Sequence, residues 1–158
     1  MVHRGIATLA GLLMLCYILL SHFDTTYFLM HLYQSLIYLV IILMLFYFED
    51  QYAYMLGMIA PAASLLMMVA TGLITTGLRQ VVWLFRPPYP DHRADPVALM
   101  AAVTAVVLTL MIVFCAIRWK REYAGTGKGL TTFLVSLGVV VVYYGVLIFW
   151  FTKSIGVR

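Results

Sequence analysis

Five long apolar runs, each closed by charged residues, set the pattern of this chain. Arg4 and Asp24 enclose 19 uncharged residues, Asp24 and Glu49 enclose 24, Asp50 and Arg79 enclose 28, Asp95 and Arg118 enclose 22, and Lys128 and Lys153 enclose 24. A helix rising about 1.5 Å per residue needs roughly 20 apolar residues to cross the hydrocarbon core of a bilayer. Every run reaches that length, the first barely. Lipid offers no partner for a free backbone N–H or C=O, so a span is a helix or part of a closed barrel. Barrel strands alternate with period two, and the stretch LIYLVIILML from Leu36 to Leu45 does not. The pattern predicts an all-α fold: a polytopic transmembrane helical bundle of about five spans, one domain over 1–158. The expected spans are 6–23, 27–48, 53–78, 97–117 and 130–152, with an interfacial loop at 79–95.

Local signals sharpen these limits. Asp95 can cap the fourth helix and Pro96 suits its first turn. Tyr47, Tyr52, Trp83, Trp119, Tyr123 and Trp150 fall near the borders, where a ring can be half apolar and half wet. Tyr143 and Tyr144 lie deep in the fifth run, so their hydroxyls are expected to face another helix. In the long connection, Arg79, Trp83 and Arg86 share a helical face. That suits a short interfacial helix or a projecting extension of span three, before Pro87-Pro88-Tyr89-Pro90 forces extended chain. Small residues predict packing faces: Gly57, Pro61, Ser64, Thr71, Gly72 and Thr75 on span three, Ala98, Ala101, Ala102 and Ala105 on span four, Gly138 and Gly145 on span five.

Composition agrees with the pattern. The chain is 65% hydrophobic and 10% charged, against about 25% charged in soluble domains. Its formal charge of +4 is spread over short loops, which suits anionic headgroups and gives no reason to expect a nucleic-acid partner. Cys16 and Cys115 sit inside the apolar runs without a C-x-x-C pair, so redox or zinc chemistry has no support. No small-x-small site follows the first run, which is read as a retained span.

Orientation is closely balanced. One side receives Arg4, Arg118, Lys120, Arg121 and Lys128, the other Arg79, Arg86, Arg93, Lys153 and Arg158. The position of Arg4 and the dense Arg118-Trp119-Lys120-Arg121 cluster favour a cytoplasmic N-terminus and an outer C-terminus, in a bacterial-type inner membrane.

Candidate chemistry concentrates on span two. Tyr27, His31, Gln34, Ser35 and Tyr38 recur at spacings of three and four, which puts them on one helical stripe. Ionisable groups inside a membrane are costly and usually face the bundle or a cavity. His22 and Asp24 end span one on the same side, and the loop adds Arg79, Arg86 and His92. The candidate ligand site is therefore His22, Asp24, His31, Gln34, Tyr38, Arg79, Arg86 and His92. His22 and His31 are the best candidates for a metal. Haem, a metal, a quinone or a lipid headgroup would each suit such residues; so would plain hydrogen bonding between helices. No cofactor is singled out. At the opposite side Glu49 and Asp50 are read as ending span two, against its dipole, and are expected to be compensated by Arg118, Lys120 and Arg121. Gly125-Thr126-Gly127-Lys128-Gly129 fails as a phosphate loop, because Glu122 stands where its first glycine belongs and Gly129 follows the lysine.

No nucleophile elbow, H-E-x-x-H or paired-carboxylate motif appears. The reading is a non-enzymatic membrane component that packs against the bilayer, other membrane subunits or itself, with an outer-side polar pocket. A small transporter or channel, and a haem-, metal- or quinone-binding redox component, stay open beside it.

Overall fold

The computed structural model describes residues 3–47, 50–85, 95–123, 127 and 129–155. The described chain is helical throughout: α1 (His3–Phe23), a 3₁₀ turn (Thr25–Tyr27), α2 (Phe28–Phe46), α3 (Asp50–Ala70), α4 (Leu73–Leu84), α5 (Pro96–Glu122) and α6 (Gly129–Ile155). All but α4 are long and apolar enough to cross a membrane, as an integral membrane protein requires.

The tight connection between α1 and α2 is built by Asp24. Its backbone N–H donates to the Leu20 carbonyl at 2.8 Å, and its side chain accepts from the Tyr27 N–H at 3.3 Å. Asp95 caps α5 as expected, accepting from the Val97 N–H at 3.0 Å with Pro96 in the first turn. That helix then continues beyond 117 to Glu122, since nothing in Arg118-Trp119-Lys120-Arg121 opposes helix and two of those bases complement the dipole at its end.

Span three is not the single helix expected over 53–78. It begins at Asp50 and stops at Ala70, because Gly72 adopts φ 73°, a left-handed conformation suited to glycine. The Gly72 carbonyl then accepts from the Thr76 N–H at 3.1 Å and the Thr75 hydroxyl at 2.7 Å, which starts α4. Asp50 is likewise corrected. It lies in the first turn of α3, where negative charge is favoured by the helix dipole rather than opposed.

The core runs along the axis of the bundle. Ile6, Ala10, Leu13 and Tyr17 from α1 meet Tyr38 and Ile41 from α2, Tyr54 and Leu56 from α3, and Leu108 and Met111 from α5. Two glycines mark close helix approaches. A Cβ on Gly57 would stand 2.6 Å from the Cys115 Sγ, and one on Gly77 would stand 2.8 Å from the Ala98 carbonyl. Gly57, Pro61 and Ser64 are buried in this packing, as are Ala98 and Ala101. Gly138 and Gly145 correct the small-residue reading of the last helix: they face outward, with nothing within 4 Å of an added Cβ.

Candidate functional site

The stripe on α2 turns inward. His31, Gln34, Ser35 and Tyr38 are all buried, while Tyr27, in the preceding turn, stays exposed. Because Asp24 closes the turn seven residues earlier, its carboxylate folds back over the start of α2. The Asp24 Oδ2 stands 3.6 Å from the His31 Nε2. That distance is slightly long for a hydrogen bond and short enough for strong electrostatic contact. The carboxylate favours a proton on Nε2, and the Gln34 side chain one turn on also reaches the His31 imidazole. Nδ1 is buried and has no hydrogen-bond partner among the described residues.

Both residues border a cavity of about 330 Å³. Tyr17 and Leu20 of α1, Tyr27 of the turn, Met30 and Gln34 of α2, Met67, Met68 and Thr71 at the end of α3, Leu73 of α4, Val97 and Ala101 of α5, and Leu147 and Ile148 of α6 complete its lining. The surfaces are mostly apolar, and the polar groups gather on the α1–α2 side. That is the usual composition of a small-molecule site: apolar shape with a few convergent polar groups.

Deeper in the bundle the polar residues form a closed chain. The Tyr144 hydroxyl donates to the Ala60 carbonyl at 3.4 Å and lies 2.5 Å from the Ser64 Oγ. The Ser64 Oγ also lies 3.1 Å from the Tyr38 hydroxyl, and in both hydroxyl pairs either oxygen can donate. Tyr17 stacks on Tyr38 at 5.7 Å between ring centroids and approaches His31 at 6.4 Å. One helical turn further, Leu13, Ile41 and Leu56 are fully buried. On the outer side of this chain, Tyr33 and Tyr143 stack at 4.4 Å, and the hydroxyl of each donates to the backbone carbonyl of the other.

Among the expected site residues, the structure brings together Asp24, His31 and Gln34 at the cavity, with Tyr38 one layer below. His22 is not with them. It is exposed at the end of α1 and packs edge-on against Phe23 at 5.7 Å. Arg79 is exposed on α4 and does not line the cavity. Arg86 and His92 lie outside the described residues, as do Asp91 and Arg93. Among the described residues, no group of three or more histidine, cysteine or acidic side chains is placed to hold a metal. Sequence reasoning did not single out Tyr17, or the role of Ser64 and Met67. Tyr17 carried a signal, since it sits two helical turns before Asp24 on the face of α1 that packs on α2.

At the opposite end, Glu49 lies outside the described residues. Arg118 pairs with Glu122 of its own helix, at 3.9 Å, an exposed arrangement that contributes about 0–1 kcal/mol. Lys120 and Arg121 are exposed. Asp50 instead shares its surroundings with Glu122 and Tyr123. Burial, followed by these two carboxylates, raises the Tyr123 hydroxyl above the ordinary tyrosine range. Tyr123 also stacks on Trp119 at 5.2 Å and meets Tyr54 edge-on at 6.1 Å.

Comparison with protein-family models, with curated proteins and with solved structures finds no match for this chain.

Proposed function

We propose that the protein is an integral membrane protein that binds a small membrane-soluble molecule in the Asp24–His31 cavity, as a non-enzymatic component of a membrane assembly. One observation carries this reading. Two ionisable residues inside the bundle, Asp24 and the buried His31, stand 3.6 Å apart and together line a mostly apolar cavity of about 330 Å³. Ionisable side chains inside a membrane are costly and usually face the bundle or a cavity that uses them, and apolar walls with a few convergent polar groups are what a small-molecule site presents.

The surroundings favour binding over conduction. The hydroxyl chain from Tyr38 ends on the Ala60 carbonyl, and the apolar layer of Leu13, Ile41 and Leu56 follows it. Outward-facing Gly138 and Gly145 on α6 would let a neighbouring helix approach closely, which suits a subunit role. With the N-terminus in the cytoplasm, the cavity belongs to the outer half of the membrane.

Native mass spectrometry of protein released from nanodiscs tests the proposal. A single small molecule is expected on the wild-type chain. Thr71→Trp, which fills the rim of the cavity from an exposed position, and His31→Ala should both lose it. Equal retention by all three proteins would place the molecule elsewhere and remove the proposal.

A further inference from the structure

The Asp24–His31 cavity carries charge of one sign. Asp24 lines it, and its side chain keeps 20% of its surface open. Among the described residues, no lysine or arginine joins that lining. His31 does not offset the carboxylate: a neutral imidazole offers a dipole and no counter-charge, and a charge on a side chain buried inside the bundle is costly. The carboxylate also has acceptor capacity left. Its Oδ1 takes the Tyr27 N–H at 3.3 Å and its Oδ2 faces the His31 Nε2 at 3.6 Å, which leaves about half of its roughly four lone-pair sites. The rest of the wall suits an apolar body. Met30, Met67 and Met68 bring three unbranched, polarisable side chains from α2 and α3. Tyr17 and Tyr27 bring aromatic rings, whose faces attract cations.

We infer that the occupant is a lipophilic organic monocation, a hydrophobic amine or quaternary ammonium, with its charge beside Asp24 and its apolar body against the methionines. This rests on the reading of the cavity as a binding site. Charge makes the selection, and charge acts across a low-dielectric space whichever edge of the carboxylate is turned inward. An anion would be repelled. A neutral molecule would take the carboxylate out of water without compensating it. A hard metal cation takes about six to eight oxygen ligands, and this wall is mostly apolar.

Radioligand binding in nanodiscs of zwitterionic lipid tests this with an isosteric pair. Benzyltrimethylammonium carries the charge, and neopentylbenzene puts carbon where the nitrogen stood. Phenylmethanesulfonate reverses the sign, and empty nanodiscs give the blank. The wild-type chain should hold the ammonium about three- to thirtyfold more tightly than Asp24→Asn does, the range spanned by exposed and desolvated cation sites. Neopentylbenzene should bind both chains alike, and the sulfonate neither. Asn keeps an oxygen for the Tyr27 N–H, so the turn is preserved. Thr71→Trp, at the rim, should displace both the ammonium and the hydrocarbon. Equal binding of the ammonium to wild type and Asp24→Asn, or a sulfonate bound as tightly as the ammonium, would overturn the inference. So would loss of both ligands from Asp24→Asn, which would tie the carboxylate to the shape of the cavity and not to its charge. In each of these cases, neopentylbenzene that binds the wild type and is lost from Thr71→Trp leaves the binding site standing. If neither ligand binds above the blank, or the tryptophan leaves both in place, the site and its charge preference fall together.

Discussion

Ser64→Ala should lower the stability of the bundle by about 1–2 kcal/mol, although it removes a single oxygen. Ser64 is the hinge of the internal hydroxyl chain, 3.1 Å from the Tyr38 oxygen and 2.5 Å from that of Tyr144. Without it the Tyr38 hydroxyl loses its partner at 3.1 Å and must turn to the Tyr17 and Tyr144 hydroxyls beside it, while Tyr144 keeps the Ala60 carbonyl. The cost in water-soluble cores reaches about 3 kcal/mol for an orphaned group. Hydrogen bonds between membrane helices are worth less, averaging about 0.6 kcal/mol and reaching about 1.7, because the unfolded helices also find partners in lipid. Thermal unfolding in bicelles, followed by tryptophan fluorescence, measures the loss. The double variant Tyr38→Phe with Ser64→Ala separates orphaning from lost packing. It removes the displaced hydroxyl and should be at least as stable as Ser64→Ala alone, a coupling that simple loss of volume would not produce.

Gly57→Ala is expected to cost a similar amount, about 1–3 kcal/mol, for the opposite reason: an atom too many. Its new methyl would meet the Cys115 Sγ at 2.6 Å and the Met111 Cε at 3.2 Å. Met111 can swing its end away, but Cys115 is fully buried and short, so α3 and α5 must separate there. Replacing glycine inside a helix would otherwise gain about 0.5–1 kcal/mol, so a net loss is itself diagnostic of the contact. Cys115→Ala removes the Sγ and leaves its Cβ, 3.7 Å from the new methyl, at ordinary contact distance. Gly57→Ala combined with Cys115→Ala should therefore recover most of the stability in the same unfolding assay. Failure to recover would place the strain elsewhere.

The contrast between those two sites shows what the sequence could and could not carry. Five spanning helices were legible because charges punctuate the apolar runs, and a charge at the membrane centre is expensive wherever the helix points. The start of α5 was legible because Asp95 and Pro96 act within one turn. The inward stripe of His31, Gln34, Ser35 and Tyr38 followed from helical period. The break at Thr71-Gly72 was missed, since both residues also suit a packing face. The signal was length: 28 uncharged residues between Asp50 and Arg79 far exceed the roughly 20 that one crossing needs. Ser64 could be seen as small and weakly polar, but its partners Tyr38 and Tyr144 come from two other helices. Which residues meet across helices depends on register and rotation, and one sequence does not encode those locally. The same limit hid the distribution of the histidines. Sequence put His22, Asp24 and His31 at one end of the bundle, yet only the fold of the turn at Asp24 decides that His31 is paired and His22 points away.

The site depends on one imidazole, that of His31, at the wall of the cavity. Nitrogen NMR of protein labelled at histidine, in nanodiscs, reads it directly as phenol, a small membrane-soluble molecule, is added. The expected spectrum has the His31 ring resonances moving as phenol enters the cavity that His31 lines, while those of the exposed His22 stay unchanged. His31 resonances that ignore phenol, or that move no more than those of His22, would contradict the account at its centre.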